Sequence, residues 1–142
     1  MYDSFGLYWK GKWQKPSSGK SIPVISPVTE EVLGEAPAAS EDDTRNAIES
    51  AVSGTRQWRN VQVWERSRML SRVADVMREH TDDMARWLIL ELGKPLDQSR
   101  VEVSMAIEQF EWYAEEAKRI YGHVLESRQP HGKVLIQHEP VG

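Results

Sequence analysis

VEVSMAIEQFEWYAEEAKRIYG, residues 101–122, is the stretch on which the reading of this chain turns. At roughly 100° per residue, Val103, Ala106, Ile107, Phe110, Ala114, Ala117 and Tyr121 fall on one continuous apolar stripe. That stripe predicts a long helix over about 96–121, with this side facing the core and Gly122 ending it. Val101, Met105 and Trp112 fall on nearly the opposite side and make a second, narrower stripe. A surface helix of a lone domain needs only one apolar face. The second one calls for a cover: more protein, a partner, or a substrate passage.

Working backwards, three more helices are expected. Ser40 followed by Asp43 reads as a capping box, with Glu41 and Asp42 adding negative charge at the same N-terminus. Behind it Ala47, Ile48, Ala51 and Val52 recur at helical spacing. Residues 64–80 give a second amphipathic helix, with Leu70, Val73, Ala74 and Met77 on its apolar side. Thr81 is expected to cap a third, with Asp82 and Asp83 in the first turn and Met84, Ala85, Leu88 and Leu92 buried. Gly93 ends that helix and Pro95 forbids its continuation.

The flanks read as short strands. Leu7-Tyr8-Trp9 and Lys12-Trp13-Gln14 surround Lys10-Gly11 at hairpin spacing. Stretches 22–26 and 31–36 are two more candidates, with Pro27 opening the turn between them. After the long helix, Val124-Leu125 and Val134-Leu135-Ile136 read as strands around Pro130-His131-Gly132. The residues alone therefore predict a mostly helical protein with small antiparallel hairpins.

The 142 residues suit one domain, 39% hydrophobic and 28% charged. A net charge of -4 without any Lys/Arg cluster argues against nucleic acid and anionic membranes as partners. The longest apolar run, Trp87-Leu88-Ile89-Leu90, is too short to span a bilayer. Asp3 and the lack of a basic start argue against a secretory signal, so a cytoplasmic protein is expected. The six tryptophans are read as packing residues.

No familiar catalytic pattern stands out. The nine glycines contain no G-x-G-x-x-G or phosphate loop, and no G-x-S-x-G elbow occurs. There is no cysteine, which excludes disulfides, thiolate metal sites and a thiolate nucleophile within these residues. His80, His123, His131 and His138 are expected to stand apart from one another and from carboxylates that could share a metal. The pairs Glu115-Glu116 and Asp82-Asp83 are explained by solvation and helix dipoles.

Leu90-Glu91-Leu92-Gly93-Lys94-Pro95, the run Glu111 to Gly122, and Glu139-Pro140-Val141-Gly142 carry a resemblance. With Gly11-Lys12-Trp13, the Val24–Thr29 stretch and the Trp64–Leu70 run, all in order, the chain resembles the N-terminal part of an NAD(P)-dependent aldehyde dehydrogenase. The F-E-W-Y-A-E-E-A-K-R-I-Y-G run is most similar to the succinate-semialdehyde dehydrogenase branch. The resemblance runs from about Leu7 to the end. It implies an α/β parent fold, of which residues 1–142 would form the helical outer part of the cofactor-binding domain. Residues 123–139 would form strands that pair with a neighbouring subunit of a homo-oligomer, and the catalytic domain would lie downstream of these residues.

In such enzymes a cysteine thiolate attacks the aldehyde and the resulting oxyanion is held by donors. Hydride then passes to NAD or NADP, and water activated by a carboxylate hydrolyses the thioester to the carboxylic acid. None of those groups is expected in this stretch: no catalytic and no cofactor-binding residue, no cofactor bound by these residues alone, and no activity of the chain by itself. The resemblance does place Val101 and Met105 along the aldehyde entrance tunnel, with packing against further protein as the rival role. Glu91 aligns with an acidic position near a monovalent-cation site in some members, and is equally a surface residue. Two functions stay open: part of a dehydrogenase acting on a small aldehyde such as succinate semialdehyde, or a naturally truncated, non-catalytic module for interaction or self-association.

Overall fold

The computed structural model describes residues 6–141; the acidic start around Asp3 and Gly142 of the E-P-V-G run lie outside them. The chain opens with a hairpin of β1 (Leu7–Trp9) and β2 (Lys12–Gln14), Leu7 opposite Gln14 and Trp9 opposite Lys12. Lys10 and Gly11 both take positive φ, 54° and 72°, the turn that follows the right-handed twist of two strands. Tyr8 and Trp13 face each other across it, ring centroids 5.0 Å apart and edge-on. A second hairpin pairs β3 (Ser21–Ile25) with β4 (Val32–Pro37), with a register irregularity at Val24/Ile25.

Four helices follow: α1 (Glu41–Trp58), α2 (Val63–Glu79), α3 (Thr81–Leu92) and α4 (Leu96–Glu116). The capping box at α1 is complete: Asp43 N–H donates to Ser40 Oγ at 3.1 Å, and the Asp43 carboxylate accepts from Ser40 N–H at 2.9 Å. Gly93 closes α3 in the left-handed conformation, φ 66°. A third hairpin, β5 (His123–Glu126) with β6 (Lys133–Ile136), ends the fold, Val124 opposite Leu135. Among the described residues the three hairpins stay separate and antiparallel. The expected mixture of helices and small antiparallel sheets is what forms.

The core lies where α4 packs on both α2 and α3. Ala74 of α2, Ala85 of α3 and Val103 and Ile107 of α4 are buried together, flanked by Met77, Met84, Leu88 and Phe110. Alanines at the first two positions let the helix backbones approach closely. Ser99, fully buried on α4, does the same; its hydroxyl donates to Pro95 O at 3.0 Å and so is not left without a partner.

Several expectations at element ends are corrected. Thr81 does not cap α3. A single residue, His80, separates it from α2, and the Thr81 hydroxyl turns back to donate to Arg78 O at 3.0 Å. The long helix stops at Glu116 and tightens into a 3-10 turn, Ala117–Arg119, leaving Tyr121 exposed rather than on the core stripe. Gly122 is not the cap. It is needed because a Cβ there would stand 2.3 Å from Ile136 O, where the base of the third hairpin closes. Leu92, Ile48 and Val52 also stay exposed.

That exposure is general. The accessible surface is 11251 Å², against about 7,500 Å² for a compact monomer of this mass. Much of the excess is apolar, including Ile22, Ile25 and Val32 of the second hairpin. No helix among the described residues is long and apolar enough to cross a membrane.

Candidate functional site

The second stripe of α4 is exposed as the periodicity predicts: Val101 is 59% and Met105 60% accessible. Both line an open groove of about 560 Å³, together with Lys94, Asp97, Gln98 and Glu102. Its floor is apolar and its rim charged. The position of each side chain follows from local structure. Gly93 and Pro95 break the chain between α3 and α4, so Lys94 sits in the connection. Ser99, anchored in the core by its hydrogen bond to Pro95 O, sets the rotation of the first turns of α4. With Ser99, Val103 and Ile107 turned inward, Val101 and Met105 must face out.

Lys94 pairs with Glu102 across the groove's edge, joining the α3–α4 connection to the second turn of α4. Both are only partly exposed, at 31% and 45% of their side chains. Glu102 also borders a second cleft, about 310 Å³, formed by Met84, Trp87, Leu88, Val103 and Ala106 between α3 and α4. One carboxylate thus stands between two apolar hollows. Sequence reading missed this pair, though Lys94 lies eight residues before Glu102 with a helix start between them, a spacing that brings a connection back over its own helix.

Trp112 lies two turns beyond Met105 on the same face and is 65% accessible, so the stripe continues past the groove. Glu91 sits exposed near the end of α3 and is not among the residues lining the groove. No cluster of three or more His, Asp or Glu side chains suited to a metal ion occurs among the described residues. His80 does approach a carboxylate, contrary to expectation: its Nδ1 lies 3.6 Å from Asp83 Oδ2 one turn along. Both are well exposed.

Gly11 and Gly93, two of the left-handed glycines, are spent on the first hairpin turn and the α3 terminus. Asp43 is a buried carboxylate held by several donors, and it binds the loop before β3 to α1. The Ser40 amide, the Ser17 amide and the two serine hydroxyls hold its pKa below the usual 3.8, outweighing the opposing effect of burial. Its contacts are all structural.

Comparison with known proteins gives this architecture a lineage. The glutarate-semialdehyde dehydrogenase of Pseudomonas putida is 39% identical over 135 residues, 95% of this chain and 28% of the relative. The NADP-dependent succinate-semialdehyde dehydrogenase of Escherichia coli is 37% identical over 132 residues, 93% of the chain and 27% of the relative. The crystal structure of succinate-semialdehyde dehydrogenase from Burkholderia pseudomallei superposes with a TM-score of 0.93 at 34% identity, covering 97% of this chain and 29% of that one. The chain therefore spans between a quarter and a third of the length of these relatives. The model of the aldehyde dehydrogenase family matches residues 13–142, and with the overall superposition this places the chain in the aldehyde dehydrogenase family.

Proposed function

We propose that these residues are the N-terminal part of an NAD(P)-dependent semialdehyde dehydrogenase that oxidises a small aldehyde, of the succinate or glutarate semialdehyde kind, to its acid. The observation that carries this reading is that semialdehyde dehydrogenases match 93–95% of the chain. NAD or NADP, bound by other parts of the complete enzyme, would supply the hydride acceptor. The chain's own contribution is architecture: α2, α3 and α4 cover the outside of the cofactor-binding domain, and Val101 and Met105 form one wall of the passage by which the aldehyde enters. An apolar wall with a charged rim excludes water from the reacting carbonyl while admitting a substrate that carries one polar end. Glu91 supplies a single carboxylate toward a monovalent cation, with other donors coming from elsewhere in the enzyme.

Residues 123–139, the third hairpin and its continuation, pair with a neighbouring subunit in this reading. All eight strand residues are exposed, and in a two-stranded sheet each strand keeps one unpaired edge. The same exposure favours a second reading, a non-catalytic module that self-associates through β6.

A chimera tests the first. Residues 13–142 replace the matching segment of the Pseudomonas putida enzyme, and aldehyde-dependent NAD(P)H formation is followed. Retained aldehyde-dependent NAD(P)H formation is expected, since the groups that react come from the parent enzyme. A chimera that folds and assembles like the parent yet reduces no cofactor would reject it.

A further inference from the structure

Glu102 is shared by two hollows. It lines the open groove of about 560 Å³ beside Val101 and Met105, and it also lines the cleft of about 310 Å³ between α3 and α4. Helix geometry explains the double role. At about 100° per residue, Glu102 stands on the shoulder of α4, with Gln98, Val101 and Met105 to one side and Val103 and Ala106 to the other. Lys94 fixes it there. The lysine comes from the α3–α4 connection and pairs with the Glu102 carboxylate. An ion pair therefore forms the ridge between two apolar hollows, one floored by Val101 and Met105 and the other walled by Met84, Trp87 and Leu88.

Such a ridge is selective. An apolar group that crossed it would cover the pair and strip its water, a cost that no hydrogen bond from the group repays. A short chain ending in a carboxylate has no need to cross, because its polar end stays hydrated in the open groove. We infer that the Lys94–Glu102 pair is a specificity-determining partition: it confines the aldehyde's chain to the groove and denies the cleft to aldehydes with a bulky apolar tail, such as an aryl group. The cleft has room for one, since a dry cavity of about 150 Å³ already takes up benzene. A site discriminates against a substrate by setting in its path a charge it would have to desolvate, as well as by attracting the right one. The inference deepens the reading of Val101 and Met105 as a passage wall and rests on it.

The experiment uses the chimera and reads a ratio: kcat/KM for 3-phenylpropanal over kcat/KM for succinate semialdehyde. Glu102→Ala is expected to raise that ratio on the order of tenfold, mainly through KM for the aryl aldehyde, the scale on which apolar pockets discriminate. Adding Ala106→Leu, which fills the cleft, returns the ratio to that of the unsubstituted chimera. The exchanged pair, Lys94→Glu with Glu102→Lys, rebuilds the ridge with its charges reversed and keeps the ratio low. An unchanged ratio in Glu102→Ala overturns the inference. A gain that survives Ala106→Leu does so too, because the tail would then lie in the groove. A high ratio in the exchanged pair also overturns it, since the sign of one charge and not the ridge would then decide. Thermal midpoints identify a variant that fails to fold; if Glu102→Ala does, Glu102→Ser carries the same comparison. A folded chimera that oxidises neither aldehyde rejects the dehydrogenase reading and this inference together. One that oxidises succinate semialdehyde with an unmoved ratio rejects the inference alone.

Discussion

The Asp43 carboxylate accepts a hydrogen bond from the Ser17 backbone amide at 3.0 Å, joining residues 26 apart in sequence. The same Oδ2 accepts from Ser40 N–H at 2.9 Å, and the Ser17 and Ser40 hydroxyls lie 2.8 Å from each other. One side chain thus closes a helix cap and ties α1 to the loop before β3. Since α1 makes little other contact with the body of the fold, this knot is its principal attachment.

The knot has a pH signature. Hydrogen bonds from Ser40 and Ser17 depress the folded pKa of Asp43 below 3.8, so its contribution is present above that value and is lost as pH falls through the lower, folded pKa. Asp43→Asn is expected to lower the thermal midpoint at neutral pH, and the gap from the parent chain is expected to close on acidification below about pH 4. A gap that holds constant down to pH 2 or so, well under the ordinary aspartate range, would show that the charge is not what matters.

Gly93 is expected to resist substitution for two separable reasons. Its φ of 66° is left-handed, and a Cβ would stand 2.7 Å from Val28 Cγ2. Gly93→Ala should cost about 1–2 kcal/mol through backbone strain, with the Val28 contact added to it. Urea unfolding of Gly93→Ala, with and without Val28→Ala, separates the two: only the contact part is recovered in the double variant.

The two faces of α4 should respond in opposite ways. Ile107→Ala on the buried face should cost about 2–4 kcal/mol in the isolated chain. Val101→Ala and Met105→Ala, both exposed, should stay within about 0.5 kcal/mol there. In the chimera the same two substitutions are expected to change KM for the aldehyde. Loss of stability in the isolated chain on truncating Met105 would mean that the second stripe is packed already and is not a passage wall.

Self-association should run through the third hairpin. Val124 and Leu135 are opposite each other and 65% and 68% accessible, an apolar pair on a sheet with unpaired edges. Leu135→Lys is expected to convert the associated chain to monomer in light scattering, since a charge on such a strand opposes edge pairing. A chain that is monomeric before the substitution would dispose of this interface.

Local structure was legible from the residues because it depends on near neighbours. The capping box of Ser40 and Asp43, the Lys10-Gly11 turn, the Gly93 stop and the 3.6-residue stripe of α4 from Val103 to Ala114 each require only a few adjacent positions, and each forms as read. The exposed stripe at Val101 and Met105 was legible for the same reason. Whether a helix's apolar side is covered is a different matter. Ile48, Val52 and Leu92 carry the right spacing and remain exposed, because burial depends on what another element brings against them. The Ser17–Asp43 knot and the Lys94–Glu102 pair have no local signature at all. Only the tertiary arrangement decided them, since a partner distant along the chain reaches a side chain by packing rather than by propensity.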